Sequence, residues 1–195
     1  IFTGDITSSK ASLAGFAFNN SQLKFLADSN HFGMSCSYDN HSDTENRGEL
    51  VINGGLSRED GELMAEISLL PSSLFFNDRQ WNILPSSAKI SGRDIRIDSL
   101  EAISGDQRIY AYGSTSQTSR DTLTLGMYRF RLGALTPLLG EDISISGTAT
   151  GDVRLISPMN EKGLLADIVC DSTFIAGEPL GVVRAGSFWN EEFQR

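Results

Sequence analysis

Two cysteines, two histidines, five prolines and no long apolar run leave little from which to build a disulfide scaffold, a metal centre or a transmembrane helix. Cys36 and Cys170 are too few for a disulfide framework, and no CxxC is present. Cys36 alternates in step with Phe32, Met34 and Tyr38, and Cys170 with Leu164, Ala166 and Ile168, so each reads as a small buried hydrophobe. A disulfide between them stays open in an oxidising compartment, because spacing does not give proximity. His31 and His41 lie beside Asp39 and Asp43 without the HxH or HExxH spacing that metal ligands need, and read as surface-loop residues. There is no GxSxG elbow, no GxxxxGKS/T or GxGxxG phosphate loop and no DxDxDG calcium loop. Of the acidic pairs, Asp94 and Asp98 look like the solvated face of a strand, and Glu191-Glu192 sits at the end of the sequence. The expectation is therefore a non-enzyme with no catalytic residue, no metal and no cofactor.

Clustered positive charge is also lacking. Sixteen Lys and Arg stand against 25 Asp and Glu, a formal net charge of −9, which opposes binding to nucleic acid or to an anionic lipid surface. No long block of like charge occurs, so the acidity reads as a solvated outer face. Neither an initiator Met nor a signal peptide is present, and the chain begins mid-pattern at Ile1. It is expected to be a fragment of a longer protein. Its 195 residues suffice for a single β domain spanning 1–195.

What the chain has is alternation. Ile143, Ile145, Gly147, Ala149, Gly151, Val153 and Leu155 are apolar or small, and Ser144, Ser146, Thr148, Thr150, Asp152 and Arg154 fall between them. Successive strand side chains point to opposite faces, so one face here is apolar and the other polar, over roughly 40 Å at about 3.3 Å per residue. Shorter stretches repeat the pattern: Gln22 to Ala27, His31 to Tyr38, Leu50 to Leu56, Leu63 to Leu70, Ile95 to Ile97, Gln107 to Tyr112 and Leu123 to Met127. Ala11 to Phe18 is a weaker strand candidate. Asp28-Ser29-Asn30, Asp60-Gly61 and Gly105-Asp106 supply turn chemistry. After Met127 the phase slips to Tyr128, Phe130 and Leu132, which predicts a β-bulge or a two-sided strand. Leu132, Leu135, Leu138 and Leu139 have helical spacing that Pro137 limits to a turn or two, so one short helical turn is expected near 132–139.

A faint repeat is also present. Leu63-Met64-Ala65-Glu66-Ile67 matches Leu164-Leu165-Ala166-Asp167-Ile168, an offset of 166 − 65 = 101, and the segment 61–78 resembles 162–177. The fold class expected is all-β: a long-stranded, mostly antiparallel curled sheet, with a closed sandwich or barrel as the alternative. Alternation is the same in both.

Ordered landmarks carry a resemblance to a known family. Trp81 with a Pro-Ser-Ser turn, then Ala88 to Asp98, then Gly105-Asp106-Gln107-Arg108-Ile109 resemble the C-terminal region of TamB proteins. These are the translocation and assembly module subunits of the AsmA-like group, here in a Bacteroidetes-like form. Asp121 to Leu125, Phe130, Leu132, Leu135, Pro137-Leu138-Leu139, Ile145 to Ala149 and Leu180-Gly181 to Trp189-Asn190 continue the likeness. The resemblance covers most of the chain from about Gly48 and brings no catalytic residue. It implies a β-taco or half-pipe with an apolar inner face. The parent protein would be anchored in the inner membrane of a Gram-negative bacterium, span the periplasm and meet an Omp85-type barrel. The role implied is conduction of phospholipid acyl chains between the membranes. The groove would be lined by Ile95, Ile97, Leu123, Leu125, Ile143, Ile145, Ala149, Val153 and Leu155. Two alternatives remain open: an interaction module assisting assembly of outer-membrane barrel proteins, and a carbohydrate-binding β domain using Tyr110 and Tyr112, which share one strand face.

Overall fold

A computed structural model of the chain describes all residues except 14–15, 42–45, 60, 77–78, 117–120, 137–142, 157–162 and 188–195. The backbone follows the alternation. Among the described residues the regular elements are sixteen β-strands and one 3-10 turn, and fourteen of the strands share one antiparallel sheet, so the chain is all-β as expected. The chain divides into two compact units, Ile1–Gly92 with Asp98–Gly105, and Arg93–Ile97 with Asp106–Arg195.

The first unit holds β1 (Phe2–Ser8), β2 (Ser12–Leu13), β3 (Phe16–Ala17), β4 (Ser21–Ala27), β5 (His31–Asp39), β6 (Arg47–Glu59), β7 (Glu62–Leu69), β8 (Ser72–Phe76), β9 (Arg79–Ile83) and β10 (Ser86–Ser91). It also takes residues 98–104 of β11 (Asp94–Ser104). The ladder runs β1-β4-β5-β6-β7-β10, while β8 pairs with β6 and β9, and β2 with β3. β1 was not foreseen: Gly4 and Asp5 interrupt the pattern of Phe2 and Ile6, and only pairing with β4 over seven residues makes it a strand. The candidate strand from Ala11 to Phe18 is instead the two-residue pair β2 and β3. The β4–β5 turn forms as its residues predict, with the Asp28 carboxylate accepting the N–H groups of Asn30 at 2.9 Å and His31 at 2.8 Å. Pro71 separates β7 from β8. Ser72 bridges the gap there, its hydroxyl accepting from the Val51 N–H at 3.0 Å and donating to the Leu70 carbonyl at 2.8 Å.

The second unit holds residues 94–97 of β11, then β12 (Gln107–Thr115), β13 (Thr122–Arg131), the 3-10 turn Leu132–Leu135, β14 (Ile145–Ile156), β15 (Gly163–Ile175) and β16 (Glu178–Ser187). The phase slip after Met127 is a bulge. Met127 pairs with Gly151 and Phe130 with Ala149, so Tyr128 and Arg129 oppose the single residue Thr150. Arg129 takes the left-handed conformation (φ 48°). Its N–H donates to the Thr150 hydroxyl at 3.0 Å, and its guanidinium pairs with Asp106 at 2.9 Å. The bulge returns Phe130 to the face of Met127 and leaves Tyr128 on the other, exposed. β14 passes unbroken through Gly147 and Gly151, as the alternation predicts. At Gly151 (φ 151°) a Cβ would strike the backbone oxygen of Asp167 on β15, so the close pairing of the two strands requires glycine there. The helical spacing from Leu132 yields the 3-10 turn Leu132–Leu135, which packs on β14 with Leu132 and Ala134 buried; residues 137–139 of that expectation lie outside the described residues. In the repeat, Leu63, Ala65 and Ile67 share one face of β7, and Leu164, Ala166 and Ile168 share one face of β15; 77–78 and 162 are likewise outside the described residues.

Candidate functional site

Strand register decides which predicted lining residues meet. In the second unit Leu123 pairs with Leu155, and Leu155 with Leu164. Leu125 pairs with Ala111 on one side and Val153 on the other, and Val153 with Ala166. One step along, Ile109, Met127, Gly151 and Ile168 form a parallel row. Ala149, between Phe130 and Cys170, ends the patch against the 3-10 turn. Five of the nine candidates, Leu123, Leu125, Ala149, Val153 and Leu155, thus share one apolar surface. Ile145 lies past a bulge at Ser172, paired with Ile175. Ile143 precedes β14 and is exposed. Ile95 and Ile97 are half-buried on β11, with β12 between them and β13.

A second apolar surface, absent from the predicted site, occupies the first unit. Phe2, Ala27, Phe32, Gly54, Ile67 and Ala88 form one row across six strands. Gly4, Phe25, Met34, Ile52 and Leu69 form the next. Ile6, Leu23, Cys36 and Leu50 form a third. The opposite face carries Thr3, Asp5, Lys24, Ser35, Asn53, Glu66 and Lys89, with Lys89 and Glu66 paired at 2.6 Å. The signal was present in the alternation of β4, β5 and β6. It was not assembled because sequence gives each strand its two faces but not the register that joins them.

Three aromatic rings lie over glycines directly across the ladder: Phe25 over Gly4, Phe32 over Gly54 and Tyr38 over Gly48. A Cβ at any of the three glycines would clash with the ring across from it. Phe2 and Phe25 touch with centroids 5.3 Å apart. The surface ends at Tyr38, which is 7% exposed. Phe18 packs edge-on to its ring at 5.2 Å, and Leu74 lies beside it over Gly48. The Tyr38 hydroxyl donates to the Phe75 carbonyl and accepts the Phe75 N–H at 2.9 Å. Burial pushes its pKa up, and the N–H that Phe75 donates to the phenol oxygen opposes that only in part.

Elsewhere these faces stay uncovered. Among the described residues of the first unit only Tyr38 and Trp81 are buried apolar side chains, and in the second only Ala111, Phe130, Leu132, Ala134 and Ala149. Phe2 keeps 66% of its surface and Ile6 58%. A closed sandwich core would bury a continuous set of such residues, and neither unit has one among its described residues.

The remaining motifs resolve into structure. His31 stands 3.6 Å from Asp28 and His41 2.8 Å from Asp39, one pair at each end of β5. Backbone N–H groups hold both carboxyls below their usual range, those of Asn30 and His31 at Asp28, and that of His41 at Asp39. No group of three or more metal-ligating side chains occurs among the described residues, and no described helix is long and apolar enough to cross a membrane. Tyr110 and Tyr112 stack with centroids 6.1 Å apart, Arg108 covers the Tyr110 ring at 5.1 Å, and that ring lies over Gly126. No family model, no curated protein and no solved structure matches the chain.

Proposed function

We propose that this chain is a lipid-binding β module of a TamB-like envelope protein, and that its uncovered apolar faces carry phospholipid acyl chains between inner and outer membrane. The parent protein is anchored in the inner membrane, crosses the periplasm and meets an Omp85-type barrel. The observation that supports this reading is the combination of continuous apolar rows with almost no buried apolar side chain. Exposed apolar area costs about 25 cal/mol per Å² in water, so rows of this extent call for a cover, and alkyl chains supply one without needing hydrogen bonds. Native mass spectrometry of the chain incubated with zwitterionic phosphatidylethanolamine, which the net charge of −9 does not repel, tests it. Lipid adducts are expected, and a clean lipid-free mass at saturating lipid overturns the reading.

A second reading, an interaction module assisting barrel-protein assembly, draws on β1. Among the described residues that strand ends the ladder with a partner on one side only, and it has no proline or bulge to blunt its edge. Crosslinks from Thr3 or Asp5 to a barrel protein, without lipid adducts, would favour it.

A further inference from the structure

We infer that a hollow on the polar face of the first unit binds a free α-amino acid with an apolar side chain. It lies over β1, β4, β5 and β6, on the side of the sheet away from the apolar rows, so it is independent of the lipid reading. Its volume is about 530 Å³, within the range of about 300–1,000 Å³ that small-molecule sites occupy. Two rows of the register build it, Thr3–Leu26–Gly33–Asn53 and Asp5–Lys24–Ser35–Val51. The central strand β5 contributes the two shortest side chains, Gly33 and Ser35, while longer ones stand up from β4 and β6 on either side. The hollow is the space above that floor.

Two departures from the pattern of this face coincide there. The first is apolar. Leu26 and Val51 interrupt a face of Thr, Asp, Gln, Lys, Ser and Asn, and Leu26 keeps 52% of its surface. A local rule broken without burial to justify it is expected at functional positions. The second departure is electrostatic. Asp5 and Lys24 stand directly opposite, where cross-strand Cβ atoms lie about 5 Å apart, yet no ion pair closes between them. Both oxygens of Asp5 accept from the Gln22 amide, at 3.0 and 2.9 Å, and Lys24 has no partner among the described residues. On the same face Lys89 does pair, with Glu66 at 2.6 Å. A carboxylate offers about four lone-pair sites, so Asp5 still accepts, and the Lys24 ammonium has its N–H groups to give. An α-amino acid carries an ammonium and a carboxylate on one carbon. A single molecule therefore meets both charges and lays its side chain across Leu26 and Val51. A simple anion would face Asp5 unrelieved, and a simple cation would face Lys24.

Proton–nitrogen correlation NMR of the intact chain, titrated with L-phenylalanine to millimolar concentration, tests the site. Saturable shifts are expected at the amides of Leu26, Gly33, Ser35 and Asn53. N-acetyl-L-phenylalanine lacks the ammonium and L-phenylalaninamide lacks the carboxylate. Each should bind about tenfold more weakly, the worth of one hydrogen bond to a charged group. Lys24→Gln should weaken phenylalanine and its N-acetyl form about tenfold and leave phenylalaninamide as it was. Asp5→Asn should weaken phenylalanine and phenylalaninamide and spare the N-acetyl form. Gly33→Leu fills the floor and should abolish binding. The nearest atom to a Cβ there is the end of the Asn53 side chain at 3.3 Å, which can turn away. Absence of any saturable shift, shifts that persist in a folded Gly33→Leu, or equal binding of the three ligands each overturns the site. Should Gly33→Leu fail to fold, the analogues and the charge variants decide. Lipid adducts form or fail on the other face, so the outcome here leaves that reading as it stood.

Discussion

Leu125 and Ala149 sit on the same apolar face, on neighbouring strands, yet Leu125 is 43% exposed and Ala149 1%. Placing a carboxylate at each asks whether the face is a wet surface or a core. For Leu125→Asp the burial lost is 100 − 43 = 57% of the side chain. Full burial of a leucine is worth about 1.5–3 kcal/mol, so the loss is about 1–1.7 kcal/mol. The poorer strand propensity of Asp adds up to about 1 kcal/mol. The carboxylate stays hydrated, so no desolvation cost follows, and the total of about 1–2.5 kcal/mol lowers Tm by roughly 2–10 °C for a chain of this size. Ala149→Asp differs in kind. The carboxylate would replace a methyl between Phe130 and Cys170, next to the 3-10 turn, with no cation paired to it. Desolvation costs several kcal/mol, overpacking adds about 1–3, and the second unit should lose its cooperative transition. Circular dichroism melts of both variants give the comparison. Should Leu125→Asp cost as much as Ala149→Asp, the face is covered and the reasoning from exposure fails.

Four further outcomes are expected. Tyr38→Phe leaves the Phe75 N–H and carbonyl without their partner in a partly buried site and should cost about 1–3 kcal/mol in urea denaturation. Ser172→Gly relieves a left-handed backbone (φ 49°) at the β15 bulge and should stabilise by up to about 1 kcal/mol, read as a raised Tm. Asp28 and Asp39 have carboxyls held below their usual range in the folded chain, so the stability they contribute is complete above the unfolded value and is lost as pH falls through the lowered folded values; protection of the His31 and His41 amides, taken relative to the intrinsic exchange rate at each pH, should fall only in that acid range, and Asp28→Asn should weaken the change at His31 alone. Arg129→Ala removes the pairing with Asp106 but leaves the bulge hydrogen bond to Thr150, so it should cost less than about 1 kcal/mol in Tm-derived stability, and deleting Arg129 takes out the extra bulge residue, so Tyr128 falls opposite Thr150, Phe130 stays opposite Ala149, and circular dichroism should show the sheet retained.

That the chain is all-β and that its strands are two-faced is written in local alternation. Period two is a local property, and it survives in β4, β5, β6, β13 and β14 whatever surrounds them. The turn at Asp28–Asn30 and the slip after Met127 were legible for the same reason, because the chemistry of each lies within a few residues. β1 was not legible, since Gly4 and Asp5 dilute its pattern and its extended state depends on β4. The short helical turn was legible in the spacing of Leu132 and Leu135, and the structure has one there, the 3-10 turn Leu132–Leu135 with Leu132 and Ala134 buried. The alternation of apolar residues is identical for a core and for an exposed surface, and only the assembled strands show that Leu125 stays wet while Ala149 is sealed. Register is likewise tertiary. Laying Phe32 on Gly54 and Phe25 on Gly4 joins positions 22 and 21 residues apart in the chain, and no local pattern encodes that pairing, so the surface of the first unit appears only when the strands are placed side by side.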